Sequence, residues 1–169
     1  MTIKRIEQIK QAFNMQPHPE GGFYSEQYRS KDIIKSPKNA QDRDALSHIY
    51  FLLTISDISR WHKVIHDEIW HVYEGDPLRI LSFDDRSGND TKNAIVFDET
   101  IGKIGSEITT HYYKVIQGGQ FQAAQSTGQY TLLGCCVAPG FVFDDFSYIE
   151  NEPTKKWVIE QGKDYAKFL

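Results

Sequence analysis

The chain has 169 residues, 40% apolar, 25% charged and 13% aromatic, which fits one globular domain spanning 1–169, with a core that needs neither disulfides nor metals to hold it. Its formal net charge is -4, and Asp32, Asp42 and Asp44 interrupt the lysines at Lys31, Lys35 and Lys38, so no basic stripe marks a nucleic-acid surface. No apolar run approaches the ~20 residues of a membrane span, and residues 1–7 lack the apolar stretch of a secretion signal. A cytoplasmic protein with neither nucleic-acid nor membrane partners is therefore expected.

In chain order, Ile3, Ile6, Ile9 and Phe13 recur at helical spacing and predict a helix over 2–13. Two prolines and two glycines within 16–22 break it. A strand is predicted over 23–29, followed by a polar stretch, 30–44, that reads as a long surface loop. Residues 46–55 are apolar, aromatic and β-branched, the strongest buried-strand signal in the chain. Further short strands are predicted over 61–65, 69–73, 78–83, 94–97, 109–116, 121–124, 130–137 and 141–143, separated by turns at 74–77, 84–90, 117–119 and 139–140. Phe141 and Phe143 are expected in the core, and Asp144 and Asp145 are expected to cap a helical tail within 147–169. The tail would pack back through Trp157, Ile159, Tyr165 and Phe168. The adjacent cysteines, Cys135 and Cys136, point to opposite faces of a strand and read as reduced, buried thiols. So many short strands imply an all-β sandwich or barrel.

Six histidines supply the candidate chemistry: His18, His48, His62, His66, His71 and His111. Three of them fall within 61–75, with Glu68, the densest cluster of ligands and acid–base groups in the chain. Alternation along a strand sends His71 away from Glu68 and puts Trp70 on the Glu68 face, to stack on a ligand or fill the core.

The same stretch resembles the first motif of the cupin superfamily, His-x-His, three or four residues, Glu, six residues, Gly. Glu68 and Gly75 hold the right separation and His62 stands at the first histidine position, but Val64 replaces the second. The second motif is echoed by Gln117-Gly118-Gly119-Gln120-Phe121-Gln122, with Gln117 in place of proline and Gln122 in place of histidine. Four blocks, His18-Pro19-Glu20-Gly21-Gly22-Phe23, Asp67-Glu68-Ile69-Trp70-His71, Gly75-Asp76-Pro77-Leu78 and the run from Val137 to Phe146, are similar to the cupin-5 (DUF985) group, whose reaction is unassigned.

The resemblance implies a double-stranded β-helix jelly roll, its barrel about 22–146, often a homodimer and built like the epimerases of deoxythymidine-diphosphate sugars. It implies that His62 and Glu68 face the barrel mouth, with Gln122 approaching from another strand. A small-molecule site would follow, with His62 as general base and Glu68 orienting it or carrying the complementary proton. Gln122, Trp70, Tyr50, Tyr24 and Glu20 would contact the ligand, and Tyr24, Tyr28, Tyr50 or Tyr73 would supply a phenol as general acid. No cofactor is expected. A metal, if one bound, would have to use His62, Glu68 and Gln122, and a neutral amide is a poor ligand for Fe, Mn, Ni or Zn. The expected function is a metal-independent isomerase or epimerase of a sugar or related compound. The alternatives are a non-catalytic binding or sensing protein, and a metal-dependent oxygenase or isomerase with a reduced ligand set.

Overall fold

The structure, a computed structural model, describes residues 2–85, 94–104 and 111–169. After helix α1 (Thr2–Ala12) come β1 (Gln16–Pro17), β2 (Phe23–Arg29), β3 (Ile33–Lys35), β4 (Asp42–Asp44), β5 (Ser47–Thr54), β6 (Ser59–Val64), β7 (Asp67–Gly75) and β8 (Leu78–Phe83). Then follow β9 (Phe97–Ile101), β10 (Tyr113–Ile116), β11 (Phe121–Ser126), β12 (Tyr130–Ala138), β13 (Phe146–Tyr148) and the helices α2 (Glu152–Gln161) and α3 (Lys163–Ala166). The strands form a six-stranded sheet, β1-β2-β5-β12-β7-β10, and a five-stranded sheet, β13-β6-β11-β8-β9, with β3 and β4 paired separately. Neighbouring strands are antiparallel.

Side-chain alternation divides the apolar residues among three packing layers. Phe51, Leu53, Trp70, Leu78, Ile80 and Leu133 meet between the sheets. Leu52 and Leu132, on the opposite face of β5 and β12, receive Ile9 of α1. On the far side of the five-stranded sheet, Trp61, Leu81, Phe83 and Phe121 are covered by Trp157, Val158 and Phe168 of the C-terminal segment. That segment is also tied by hydrogen bonds: Trp61 Nε1 donates to the carbonyl of Tyr165 at 2.9 Å, and the Trp61 amide to that of Phe168 at 2.8 Å. β8 is therefore buried on both faces, which is why Leu78, Ile80, Leu81 and Phe83 supply apolar side chains to both.

Several expectations are corrected. The stretch 30–44 is not a plain surface loop: β3 and β4 pair within it, and Ser36 and Arg43 are buried. The strand expected over 94–97 lies instead at Phe97–Ile101, where pairing with β8 brings Ile101 opposite Leu78 and into the core. Residues 141–143 form no strand. A 3-10 turn, Phe143–Asp145, leads into β13, which pairs with β6. Asp144 and Asp145 do not cap the tail, because Asn151 caps α2 by accepting the Thr154 amide at 2.8 Å. Phe143 is half exposed rather than a core residue, Cys136 is only partly buried, and Ile3 and Ile159 face outward. The turn expected at 84–90 lies outside the described residues from 86 onward, as do residues 109 and 110 of the strand expected over 109–116.

Candidate functional site

A cavity of about 320 Å³ opens between the sheets, with His18, Glu20, His62 and Glu68 at its polar end. Phe141, Phe143, Phe146, Val64, Val137 and Ile49 supply apolar wall. This is the combination of apolar lining and few convergent polar groups that a small-molecule site requires.

His62 comes from β6 and Gln122 from its cross-strand partner on β11. The His62 ring is fully enclosed and stacks on Phe146 at 5.2 Å. Its Nδ1 lies 2.7 Å from the carbonyl of Arg60, which accepts and so requires the proton on Nδ1. Nε2 then lies 3.0 Å from Glu20 Oε2 and 3.1 Å from Gln122 Nε2. The amide is oriented by Trp70, whose indole Nε1–H donates to Gln122 Oε1 at 2.9 Å. An indole donates only, so the Gln122 NH2 must face the other way, toward His62 and toward Glu68 Oε2 at 2.6 Å.

Glu20 arrives from the turn between β1 and β2. Gly21, at φ +115°, lets that turn lie against β6, where a Cβ would meet the carbonyl of Ile58 at 2.0 Å. The Arg60 amide donates to the Glu20 carbonyl at 3.0 Å and holds the turn in place. The Glu20 amide itself lies 3.3 Å from His18 Nδ1. His18 packs edge-on against Tyr24 and Phe51.

Burial dominates the electrostatics. Desolvation raises the Glu20 carboxyl to about 8 and the Glu68 carboxyl to about 7, the latter opposed by His62 and raised further by Glu20. It lowers His62, and takes His18 down to about 4 with help from His62. The Cys135 thiol, on the cavity wall, is pushed well up by burial and then by Glu68. At the rim, the Arg29 guanidinium contacts Glu26 at 2.8 Å, Asp44 at 2.7 Å and the Phe141 carbonyl at 3.1 Å.

The structure thus brings together His62, Glu68, Gln122 and Glu20, and places Tyr24 on the cavity wall. Trp70 is sealed in the core behind Gln122 and acts through it. Tyr50 does not reach the cavity: it lies on the opposite face of β5, where it packs on Phe13 and Tyr73. Tyr28 and Tyr73 are half exposed and do not line the cavity. His18, Arg29 and the Phe141–Phe143–Phe146 group line the cavity but were not among the expected ligand contacts. The block beginning at His18 holds the signal, and Glu20 is the residue the sequence reading takes from it as a ligand contact.

The chain matches the family model described as cupin superfamily (DUF985) over residues 7–149. It belongs to that family. It is 25% identical over 173 residues to the uncharacterized protein YML079W of Saccharomyces cerevisiae, covering 94% of this chain and 82% of that protein. Its fold is similar to that of a hypothetical protein from Leishmania major, at a TM-score of 0.82 and 24% identity, over 96% of this chain and 97% of that one. Protein SO0799 from Shewanella oneidensis aligns at a TM-score of 0.78 and 24% identity, over 96% and 95% of the two chains. The double-stranded β-helix is thereby shown, and no helix among the described residues is long and apolar enough to cross a membrane.

Cupin barrels imply a metal, and the donor set here does not fit one. Where two ligands would offer lone pairs to an ion, the Gln122 NH2 directs its hydrogens at both His62 Nε2 and Glu68 Oε2. Among the described residues, no group of three or more His, Cys, Asp or Glu side chains converges to hold a metal ion.

Proposed function

We propose that this cupin is a metal-independent isomerase or epimerase that moves a carbon-bound proton next to a carbonyl group in a sugar or related small molecule. The single observation that carries the reading is the 3.0 Å contact between Glu20 and His62 at the closed end of an apolar cavity, with Glu68 linked to the same His62 Nε2 through Gln122. Two carboxyls raised to about 8 and about 7 around a neutral imidazole form a proton store that exchanges readily near neutral pH.

The base is the Glu20–His62 pair, which shares one proton. The substrate C–H bond breaks, its proton passes to the pair, and the electron pair moves through the new C=C bond onto the carbonyl oxygen. The pair then carries a positive charge, and ionised Glu68, held through Gln122, stabilises it. Return of the proton to either face of the carbon completes an epimerisation, and no oxidant or reductant is consumed.

The test is incubation of aldoses, ketoses and simple α-hydroxy ketones with the protein in heavy water, followed by NMR. Wild type is expected to wash deuterium into the carbon next to the carbonyl, and His62→Ala or Glu20→Gln to slow this by about 100-fold or more. Thermal stabilisation by a probe with no exchange identifies a binding or sensing protein instead. Exchange that persists unchanged in His62→Ala removes His62 from the site.

A further inference from the structure

His18 has no role in the proton store, yet its geometry is that of a prepared donor. Its Nδ1 faces the Glu20 backbone amide at 3.3 Å, and an amide can only donate, so Nδ1 is the acceptor and Nε2 carries the ring proton. The side chain is 7% exposed and lines the cavity. Among the described residues nothing bonds Nε2. Nor is Nε2 sealed off: the buried polar atoms without a partner are Ser59 Oγ, His66 Nδ1 and Thr154 Oγ1. The free N–H therefore opens onto the cavity and calls for an acceptor.

The charge around the cavity limits what that acceptor belongs to. Among the described residues Arg29 is the cationic side chain on the wall, and Glu26 and Asp44 already hold it. With Glu20 and Glu68 inside, a carboxylate or phosphate would enter an acidic, apolar space with no free counter-charge, at a steep desolvation cost. The aromatic wall instead favours a planar or apolar body.

We infer that His18 is a catalytic residue of this site, its Nε2–H holding and polarising the carbonyl oxygen of an uncharged substrate with an apolar body, rather than a sugar linked to a nucleotide. This rests on the proton-transfer reading above. As the C–H proton leaves for the Glu20–His62 pair, negative charge gathers on the carbonyl oxygen and the His18 N–H shortens its hydrogen bond to it. The ring stays neutral and gives up no proton, so the balance of the step is unchanged. Burial, which keeps His18 neutral down to about pH 4, supports the assignment.

The probe is phenacyl alcohol, an uncharged α-hydroxy ketone, compared with phenacyl phosphate, using the full chain. Wild type is expected to bind the alcohol in the millimolar range reachable by so small a molecule, with the bound carbonyl 13C signal shifted downfield. The phosphate should bind at least about tenfold more weakly. His18→Phe is expected to lose about tenfold in affinity and the carbonyl shift, while His18→Gln, which keeps a donor N–H, retains most of both. Nitrogen-15 NMR of the imidazole should place the proton on Nε2 in the free protein.

Tighter binding of the phosphate, or no binding of the alcohol, overturns the substrate class. An unshifted carbonyl, or a His18→Phe protein that binds and exchanges like wild type, overturns the role of His18. If the alcohol binds with the His18-dependent shift but takes up no deuterium, the assignment of His18 as the carbonyl donor and of the ligand class stands, and proton transfer fails. If exchange occurs independently of His18, the reverse holds.

Discussion

Two buried clusters in this protein are made of the same ingredients and behave oppositely. At the closed end of the cavity, Glu20 and Glu68 meet imidazole, amide, hydroxyl and thiol groups but no guanidinium, and burial raises both carboxyls. Behind the cavity wall, Asp145 and His66 are equally enclosed, but Arg43 grips Asp145 with two hydrogen bonds of 2.7 Å and holds its carboxyl below the usual range. Asn39 adds a bond to the same carboxylate at 3.3 Å, and Ser36 meets His66 Nε2 at 2.8 Å. One planar guanidinium separates the two outcomes. With it, the charges are fixed and the cluster is a clamp joining the β3–β4 hairpin to the turn that bears Phe143. Without it, protons are left undecided, and the cluster is suited to moving them.

The largest effect is expected from breaking the clamp. Asp145→Ala takes from buried Arg43 the carboxylate that grips it, and the melting temperature should fall by roughly 10 °C. Replacing both partners with apolar residues, Arg43→Met with Asp145→Leu, should recover much of that loss, because no unpaired charge remains. Thermal denaturation of the three proteins decides it. A single substitution that costs no more than the double one would mean that Arg43 and Asp145 contribute as shape, not as charge.

The contrast also marks what the sequence makes legible. β5 and β8 announce themselves, because Ile49 to Leu53 of β5 and Leu78, Ile80, Leu81 and Phe83 of β8 form dense apolar stretches that pack on both faces of their sheets. His62, Glu68 and Gln122 are found through motif spacing, since a cross-strand pair and a hairpin fix their common face. The clamp is invisible in the sequence: Arg43 and Asp145 stand 102 positions apart in a polar stretch and a turn, and only the folded chain gives them a shared interior. Tyr50 misleads for a related reason. An aromatic in a strand is equally at home on either face, and here the helix α1, through Phe13 after its last turn, claims it. Glu20 is read as a ligand contact and His18 is not, although glycines and prolines surround them both, and the same tight turn is what delivers both to the cavity.

The pH dependence of stability should separate the clusters next. Glu20 and Glu68 bind protons more tightly folded than unfolded, so the stability they contribute is complete below the ordinary 4.5 and is lost as the pH climbs through about 7 and about 8. Glu20→Gln and Glu68→Gln should therefore flatten the alkaline side of the stability curve and raise the melting temperature by several degrees near pH 9, while slowing proton exchange. His18 has the opposite sign. Its neutral form is favoured by folding, and that contribution is present above the ordinary 6.5 and lost as the pH falls toward about 4. Asp145, lowered by Arg43, also weakens the fold only on the acid side, so Asp145→Asn should leave the alkaline limb unchanged. An alkaline limb as steep as that of wild type in Glu20→Gln and in Glu68→Gln alike would show that neither carboxyl holds its proton in the folded protein.

The smallest change probes the wiring between the core and the proton store. Trp70→Phe keeps most of the packing against Phe51 but removes the N–H that orients Gln122. Stability should drop by about 1 kcal/mol for the lost bond. The more telling readout is the Gln122 side-chain amide itself. In wild type its NH2 is pinned between His62 and Glu68 and should resist exchange with solvent. In Trp70→Phe nothing requires Oε1 to face the core, so faster amide exchange and a shifted His62 nitrogen signal are expected. If the amide stays pinned without the indole, then His62 and Glu68 alone set its orientation, and the proton store is built by its own members and not by the core behind it.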